Sequence, residues 1–289
     1  MIKNYAAYKK TCFTIAFFII TFFGYSQTTT FTTTGTFTVP AGVTSITIEA
    51  WGGGGTGGGA LGNPSGAGGG AGGAYVRNNS LSVTPGASYA VTVGIQTTGT
   101  LGNGQDGYPS SFALSSTPAI LLINAVGGNG GKWAPDPNSY GNGGAQSSTG
   151  NIGGTTSNVY GSAGTNGTAA KSGDGGNSGG GALGGTGTNT IFTNPGSLYG
   201  GGGSGGFAPT NPDRVGGYGA AGKVVITTNP ISAQAINIQG NDISIADADS
   251  TPSPTDGTDF GSTQIVSAPI TKVFTIQNTG GQVLTVGAI

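Results

Sequence analysis

The sequence predicts an all-β fold, and three of its features do so. Apolar residues recur with period two in short runs rich in Val, Ile, Thr and Tyr. No window repeats them at the spacing of an amphipathic helix. Between the runs lie Pro-Gly turns and blocks of glycine, 62 glycines among 289 residues, far above the roughly 7% of an average domain.

Residues 1–26 open with the basic side chains Lys3, Lys9 and Lys10, continue as an apolar run from Cys12 to Phe23 and leave through Gly24-Tyr25-Ser26. Basic start, apolar middle and small-residue exit are the pattern of a signal peptide, with Gln27 as the expected mature N-terminus. A membrane anchor is the other reading, but an apolar core of about a dozen residues is shorter than the ~20 needed to cross hydrocarbon. No membrane span is expected once the signal is cleaved.

Strands come next. Thr36-Phe37-Thr38-Val39 alternates, Pro40-Ala41-Gly42 turns the chain, and 43–50 puts Ile46, Ile48 and Ala50 on one face against Thr47 and Glu49. A turn with strands on both sides predicts a hairpin. By the same logic 80–83 and 88–95 pair around Thr84-Pro85-Gly86, with Tyr89, Val91 and Val93 inward. Runs at 112–114, 120–126 and 223–227 complete the set.

Glycine blocks fill 52–73, 127–131, 141–187 and 200–222. A flexible linker is one reading, because glycine loses the most backbone entropy on ordering. The other is a bundle of three-residue polyglycine II helices, whose bare Cα atoms let neighbouring backbones approach and bond laterally, as at the collagen axis. Interspersed Leu61, Ile152, Val159, Tyr160, Leu183, Phe207 and Tyr218, and the return to a regular strand at 223–227, favour the packed form. Collagen itself is excluded, since 155–160 holds no glycine.

After Asn229-Pro230 glycine becomes rare and the pattern shifts to runs at 235–238, 243–246, 270–277 and 283–286, with Asn278-Thr279-Gly280-Gly281 as a hairpin turn. The expected organisation is therefore 1–26 signal, 27–228 glycine-rich β-domain and 229–289 a second β-domain.

Residue types missing from the chain narrow its chemistry. Histidine is absent and the only cysteine, Cys12, lies in the leader. Triad catalysis, His/Cys zinc sites, iron–sulfur ligation and disulfides are thereby removed from the mature chain. Formal charge is −1, and loss of the three leader lysines makes it −4, with the excess in Asp242, Asp247, Asp249, Asp256 and Asp259 against Lys272 alone. No basic stripe offers counterion release to a polyphosphate, so nucleic-acid binding is not expected.

Several motifs dissolve on inspection. G-x-G-x-x-G recurs by chance at this glycine density without a βαβ unit around it. The stretch 217–223 imitates a phosphate loop, yet Val224 stands where a magnesium-binding hydroxyl belongs. Glu49, the sole glutamate, has no opposed carboxylate for glycoside hydrolysis, and no enzyme is expected. Asp247, Asp249, Asp256 and Asp259 are the candidate metal ligands, four carboxylates within thirteen residues with oxygens for Ca²⁺. They lack the glycine and the distal glutamate of an EF-hand, and a solvated acidic loop is the favoured alternative. Trp51, Trp133, Tyr140, Tyr160, Tyr199 and Tyr218 lie in or beside the glycine blocks, placed either to plug gaps between helices or to stack on sugar rings.

Specific residues carry two resemblances. The run from Phe37 through Pro40-Ala41-Gly42 to Trp51-Gly52-Gly53-Gly54-Gly55, then Gly72-Gly73-Ala74-Tyr75-Val76, Thr84-Pro85-Gly86 with 89–94, and the closing 219–226 resemble, in order, the bacterial and phage glycine-rich domain family. That resemblance implies a jelly-roll-like β-sandwich with a polyglycine brace, and adhesion or surface display. Ile236-Asn237-Ile238-Gln239-Gly240, 245–249, 255–261 and 274–280 are similar to the choice-of-anchor D family, an immunoglobulin-like module related to the ASPM/SPD-2/Hydin domain. Such modules need about 100 residues, so an incomplete immunoglobulin-like sandwich and a longer parent protein are expected. The functional expectation is an exported structural or adhesive surface protein, secreted or on the outer face of a bacterial outer membrane, with surface glycans or cell-surface proteins as partners. The alternative is a carbohydrate-binding module of a larger secreted protein. A single concave aromatic pocket would favour the module, and flat surfaces with several weak contacts would favour adhesion.

Overall fold

The structure is a computed structural model that describes residues 26–62, 64–115, 119–210, 212–229, 236–262 and 269–279. The expected signal peptide and the expected strand at 283–286 lie outside the described residues. Two compact units are present, one spanning Ser26–Ile231 and the other holding Ser232–Ile289.

In the first unit the strands are β1 (Thr28–Phe31), β2 (Gly35–Thr38), β3 (Ser45–Trp51), β4 (Ser65–Gly66), β5 (Tyr75–Ser82), β6 (Ser88–Thr92), β7 (Ser110–Leu114), β8 (Ile120–Ala125), β9 (Ser157–Val159), β10 (Phe207–Ala208) and β11 (Lys223–Thr228). They form a five-stranded sheet of order β1-β11-β3-β5-β9 and a four-stranded sheet of order β2-β6-β7-β8, both antiparallel throughout. Period-two alternation gives each sheet one apolar face. Ile46, Ile48, Ala50, Val76, Val224 and Ile226 from the first meet Phe37, Tyr89, Val91, Phe112, Ile123 and Ala125 from the second in one buried core. Phe112 anchors it, stacked on Tyr89 at 4.8 Å between ring centroids. This is the predicted all-β sandwich.

Both predicted hairpins are corrected. β2 and β3 belong to different sheets, as do β5 and β6, so the turns at 40–42 and 84–86 carry the chain across the sandwich. The corners lock onto each other: Val39 N–H donates to Ala87 O at 2.9 Å and Val83 N–H to Thr44 O at 2.9 Å. Val39, Val43 and Val83 turn into the core there. β1 runs beside β11, and Gln27 N–H donates to Thr228 Oγ1 at 2.9 Å while Thr228 N–H donates to Gln27 O at 2.8 Å.

The glycine blocks are packed, not loose. Along 52–60 the N–H groups rotate through three neighbours. Those of residues 52, 55 and 58 reach Ala74, Ala71 and Gly68; those of 53, 56 and 59 reach Tyr108, Gln105 and Gly102; those of 54, 57 and 60 reach Ala220, Gly217 and Arg214, all at 2.8–3.1 Å. The carbonyls of Gly53, Thr56 and Gly59 accept from Gly128, Gly131 and Ala134, and those of Gly55 and Gly58 from Gly203 and Gly206. A period of three with lateral bonds is the polyglycine II arrangement. The segment 66–74 has six such neighbours, 52–58, 126–132, 141–144, 162–165, 173–179 and 200–206. Spacing this close tolerates no side chain: a Cβ on Gly57 would land on the carbonyl of Ser204, and one on Gly69 on that of Asp174.

Where a helix faces solvent, polar side chains replace the missing neighbour. Asn166 Oδ1 accepts from Gly143 N–H at 2.9 Å, Asp106 Oδ1 from Gly130 at 2.8 Å, and Asn177 Oδ1 from Gly184 at 3.0 Å. Buried amides must find acceptors, which explains the asparagine content of the blocks. At the end away from β3, the short β4–β10 pair and the small cluster Ala60, Ala67, Ala134 and Ala208 close the bundle.

In the second unit β12 (Ile236–Gly240), β13 (Ile243–Ile245) and β14 (Phe274–Asn278) form an antiparallel sheet of order β13-β12-β14. One face is a polar ladder, with Asn237 Nδ2 donating to Gln277 Oε1 at 3.1 Å and Gln239 Nε2 to Ser244 Oγ at 3.5 Å. The other aligns Ile245, Ile238 and Ile276 across the strands, with Ile238 and Ile276 each 42% exposed.

Candidate functional site

The acidic loop is the site the sequence proposed, and its carboxylates are spent locally. Asp249 Oδ1 accepts from Thr251 N–H at 2.9 Å, and Asp259 Oδ1 from Gly261 N–H at 2.7 Å. Asp256 Oδ1 accepts both from the Thr258 hydroxyl at 2.6 Å and from Thr258 N–H at 3.0 Å. The Thr258 hydroxyl, then its backbone N–H, holds the Asp256 carboxyl below the usual carboxylate range. Asp247 is exposed. Among the described residues no three acidic side chains come together as a group able to hold a metal. An Asp that accepts from the amide two residues on folds its own turn, and Asp249, Asp256 and Asp259 each point an oxygen at the backbone in this way.

The six candidate aromatics divide. Trp51 and Tyr199 hold the Lys223 ammonium between them, Nζ lying 4.2 Å from the first ring centroid and 4.6 Å from the second. Register explains it: Lys223, Trp51 and Tyr75 are direct cross-strand neighbours on the outer face of the five-stranded sheet. Tyr75 packs on Trp51 at 4.8 Å, and its hydroxyl donates to Glu49 Oε1 at 2.5 Å. Partial burial, then the bond to the Glu49 carboxylate, pushes the Tyr75 phenol up to about 12. Arg77 Nη1 lies 3.8 Å from the same carboxylate oxygen. The indole edge rests on Gly180, where a Cβ would strike Nε1. This cluster clamps the outer sheet face to the glycine bundle. Tyr75, Arg77 and Lys223 were not singled out from sequence. Alternation puts them on the outer face, but their meeting depends on strand order.

Trp133, Tyr140 and Tyr218 instead stand 38%, 45% and 48% exposed, and Tyr160 is half-buried. Other large apolar side chains of the bundle also reach solvent, including Leu183, Phe192 and Leu198 at 62%, 72% and 64%. Sequence did not single out the last two. An open recess of about 500 Å³ is lined by Lys171, threonines and asparagines, without an aromatic wall. No helix among the described residues is long and apolar enough to cross a membrane.

A family model described as a glycine-rich domain matches residues 28–229. No curated protein matches the chain.

Proposed function

Since this chain belongs to the glycine-rich domain family, we propose that it is an exported structural or adhesive protein of the bacterial cell surface. The observation that carries the proposal is the bundle itself: a stack of backbone-bonded helices needing no metal, cofactor or disulfide, with aromatic and aliphatic side chains left in solvent on its sides. Scattered single contacts on a rigid support suit many weak attachments in parallel, where effective concentration multiplies modest affinities. The basic and apolar leader supports export, and the motifs of 236–280 similar to choice-of-anchor D modules support attachment through the second unit. The shallow, polar recess fits a contact surface better than the deep aromatic slot of a dedicated carbohydrate-binding module.

Surface display is tested by protease shaving of intact cells that make the full chain, followed by an adhesion assay against cells lacking the gene. Loss of the protein on shaving together with reduced adhesion is expected. A protein protected from protease, or adhesion unchanged by its removal, sinks the proposal.

A further inference from the structure

The open recess on the flank of the glycine bundle has polar groups that the fold does not use. Its wall is the segment 186–194 and its floor includes Lys171. The wall is held rigidly. Ser172 and Thr188 exchange backbone bonds and side-chain bonds, Ser172 N–H to Thr188 O at 2.9 Å and Thr188 N–H to Ser172 Oγ at 2.9 Å. Thr188 Oγ1 donates to Phe192 O at 2.6 Å, and Asn194 Nδ2 to Thr186 O at 2.7 Å. By contrast the side chains of Thr186, Asn189 and Thr190 line the recess without a hydrogen bond among the described residues. Unspent hydroxyl and amide groups on a fixed wall are what a polyhydroxylated ligand requires, because the binder loses little freedom on docking.

Charge narrows the class. Lys171 Nζ lies 3.4 Å from both oxygens of Asp174, whose Oδ1 also accepts from Gly187 N–H at 2.7 Å. The cation is compensated, so the recess presents no net charge to an anion. Its volume of about 500 Å³ falls within the roughly 300–1,000 Å³ of ligand sites, and its open sides suit a chain passing through rather than an enclosed small molecule.

We infer that this recess binds neutral oligosaccharide segments of a surface polysaccharide, with Thr186, Asn189 and Thr190 bonding hydroxyls. The inference rests on the surface-adhesion reading above and assigns it a ligand class.

The test is calorimetric titration of the full chain with short neutral oligosaccharides of glucose, galactose, mannose and N-acetylglucosamine, and with uronic-acid oligosaccharides as probes for an anion site. Saturable binding of at least one neutral probe is expected. Asn189→Ala and Thr190→Ala should each weaken it about tenfold with the melting temperature unchanged, and Leu183→Ser, exposed but outside the recess, should bind as the parent does. Binding of uronic-acid probes alone, no binding of any neutral probe, or neutral binding indifferent to both recess variants overturns the inference. Adhesion that persists without sugar binding defeats the recess and spares the surface reading. Sugar binding in the recess without adhesion does the reverse.

Discussion

At the residue scale the glycines separate into those the bundle requires and those it does not. Gly57 and Gly102 both lie in the helical array, yet a Cβ on Gly57 meets the Ser204 carbonyl while one on Gly102 meets nothing within 4 Å. Gly57→Ala is therefore expected to destabilise by about 3 kcal/mol or more, as overpacking of a rigid backbone does, whereas Gly102→Ala should stay within about 0.5 kcal/mol. Thermal melts of the two variants check this. Tyr75 supplies a pH dependence. Its phenol is raised from 10.0 to about 12 in the fold, so its contribution is fully present below the unfolded value and is lost as pH rises from about 10 toward 12. Melting temperature should fall across that window in the parent and less in Tyr75→Phe, and absorbance at alkaline pH should show one tyrosine ionising late. At the acidic loop, with the oxygens of Asp249, Asp256 and Asp259 already accepting from the chain, millimolar calcium or its chelation should leave the melting curve unmoved.

Elements follow from alternation, while their partnerships do not. The faces of β3, with Ile46, Ile48 and Ala50 inward, were legible because a half-buried strand declares its faces every second residue. β1, a threonine-rich edge strand, and the two- and three-residue β4, β9 and β10 carry no such signature. The misjudged hairpins share a cause. Turn residues reveal that the chain reverses, but not whether it returns within its sheet or crosses to the other. The glycine-free stretch 155–160, which argued against collagen, contains β9, the outermost strand beside β5. Glycine is needed only where another backbone approaches, so solvent-facing positions and edges break any strict triplet. The acidic loop was conspicuous in sequence, though among the described residues no three of its carboxyls come together, while the recess was invisible because Lys171 and 186–194 meet through the Ser172–Thr188 pairing and the bond from Gly187 to Asp174. Within the sandwich, Phe112 joins both sheets' apolar faces. Phe112→Ala should cost about 3–5 kcal/mol by the cavity it opens, read as a shift of the denaturation midpoint.

For the first unit as a whole, sandwich and bundle share their chain at many crossings. β3 runs straight into the helix 52–60, and the helix 66–74 runs straight into β5. One cooperative transition is expected, and hydrogen exchange should be slow along 52–60 and 66–74 without the loss of protection that glycine-rich linkers show, since successive amides there are bonded. Rapid exchange at these glycines would mean that the bundle is not formed in solution. One last property follows from the bonds between Gln27 and Thr228. The first and last residues of a fold of about two hundred residues touch, like the two ends of a closed clasp. A pull between Gln27 and the chain after Thr228 would load the antiparallel β1–β11 ladder from its open end, peeling Thr28 from Thr227 and then Thr29 from Ile226, one pair at a time. The small force needed to start that peeling makes the β1 edge the mechanical fuse of the unit, the first part to give way while the glycine bundle beyond it keeps its shape.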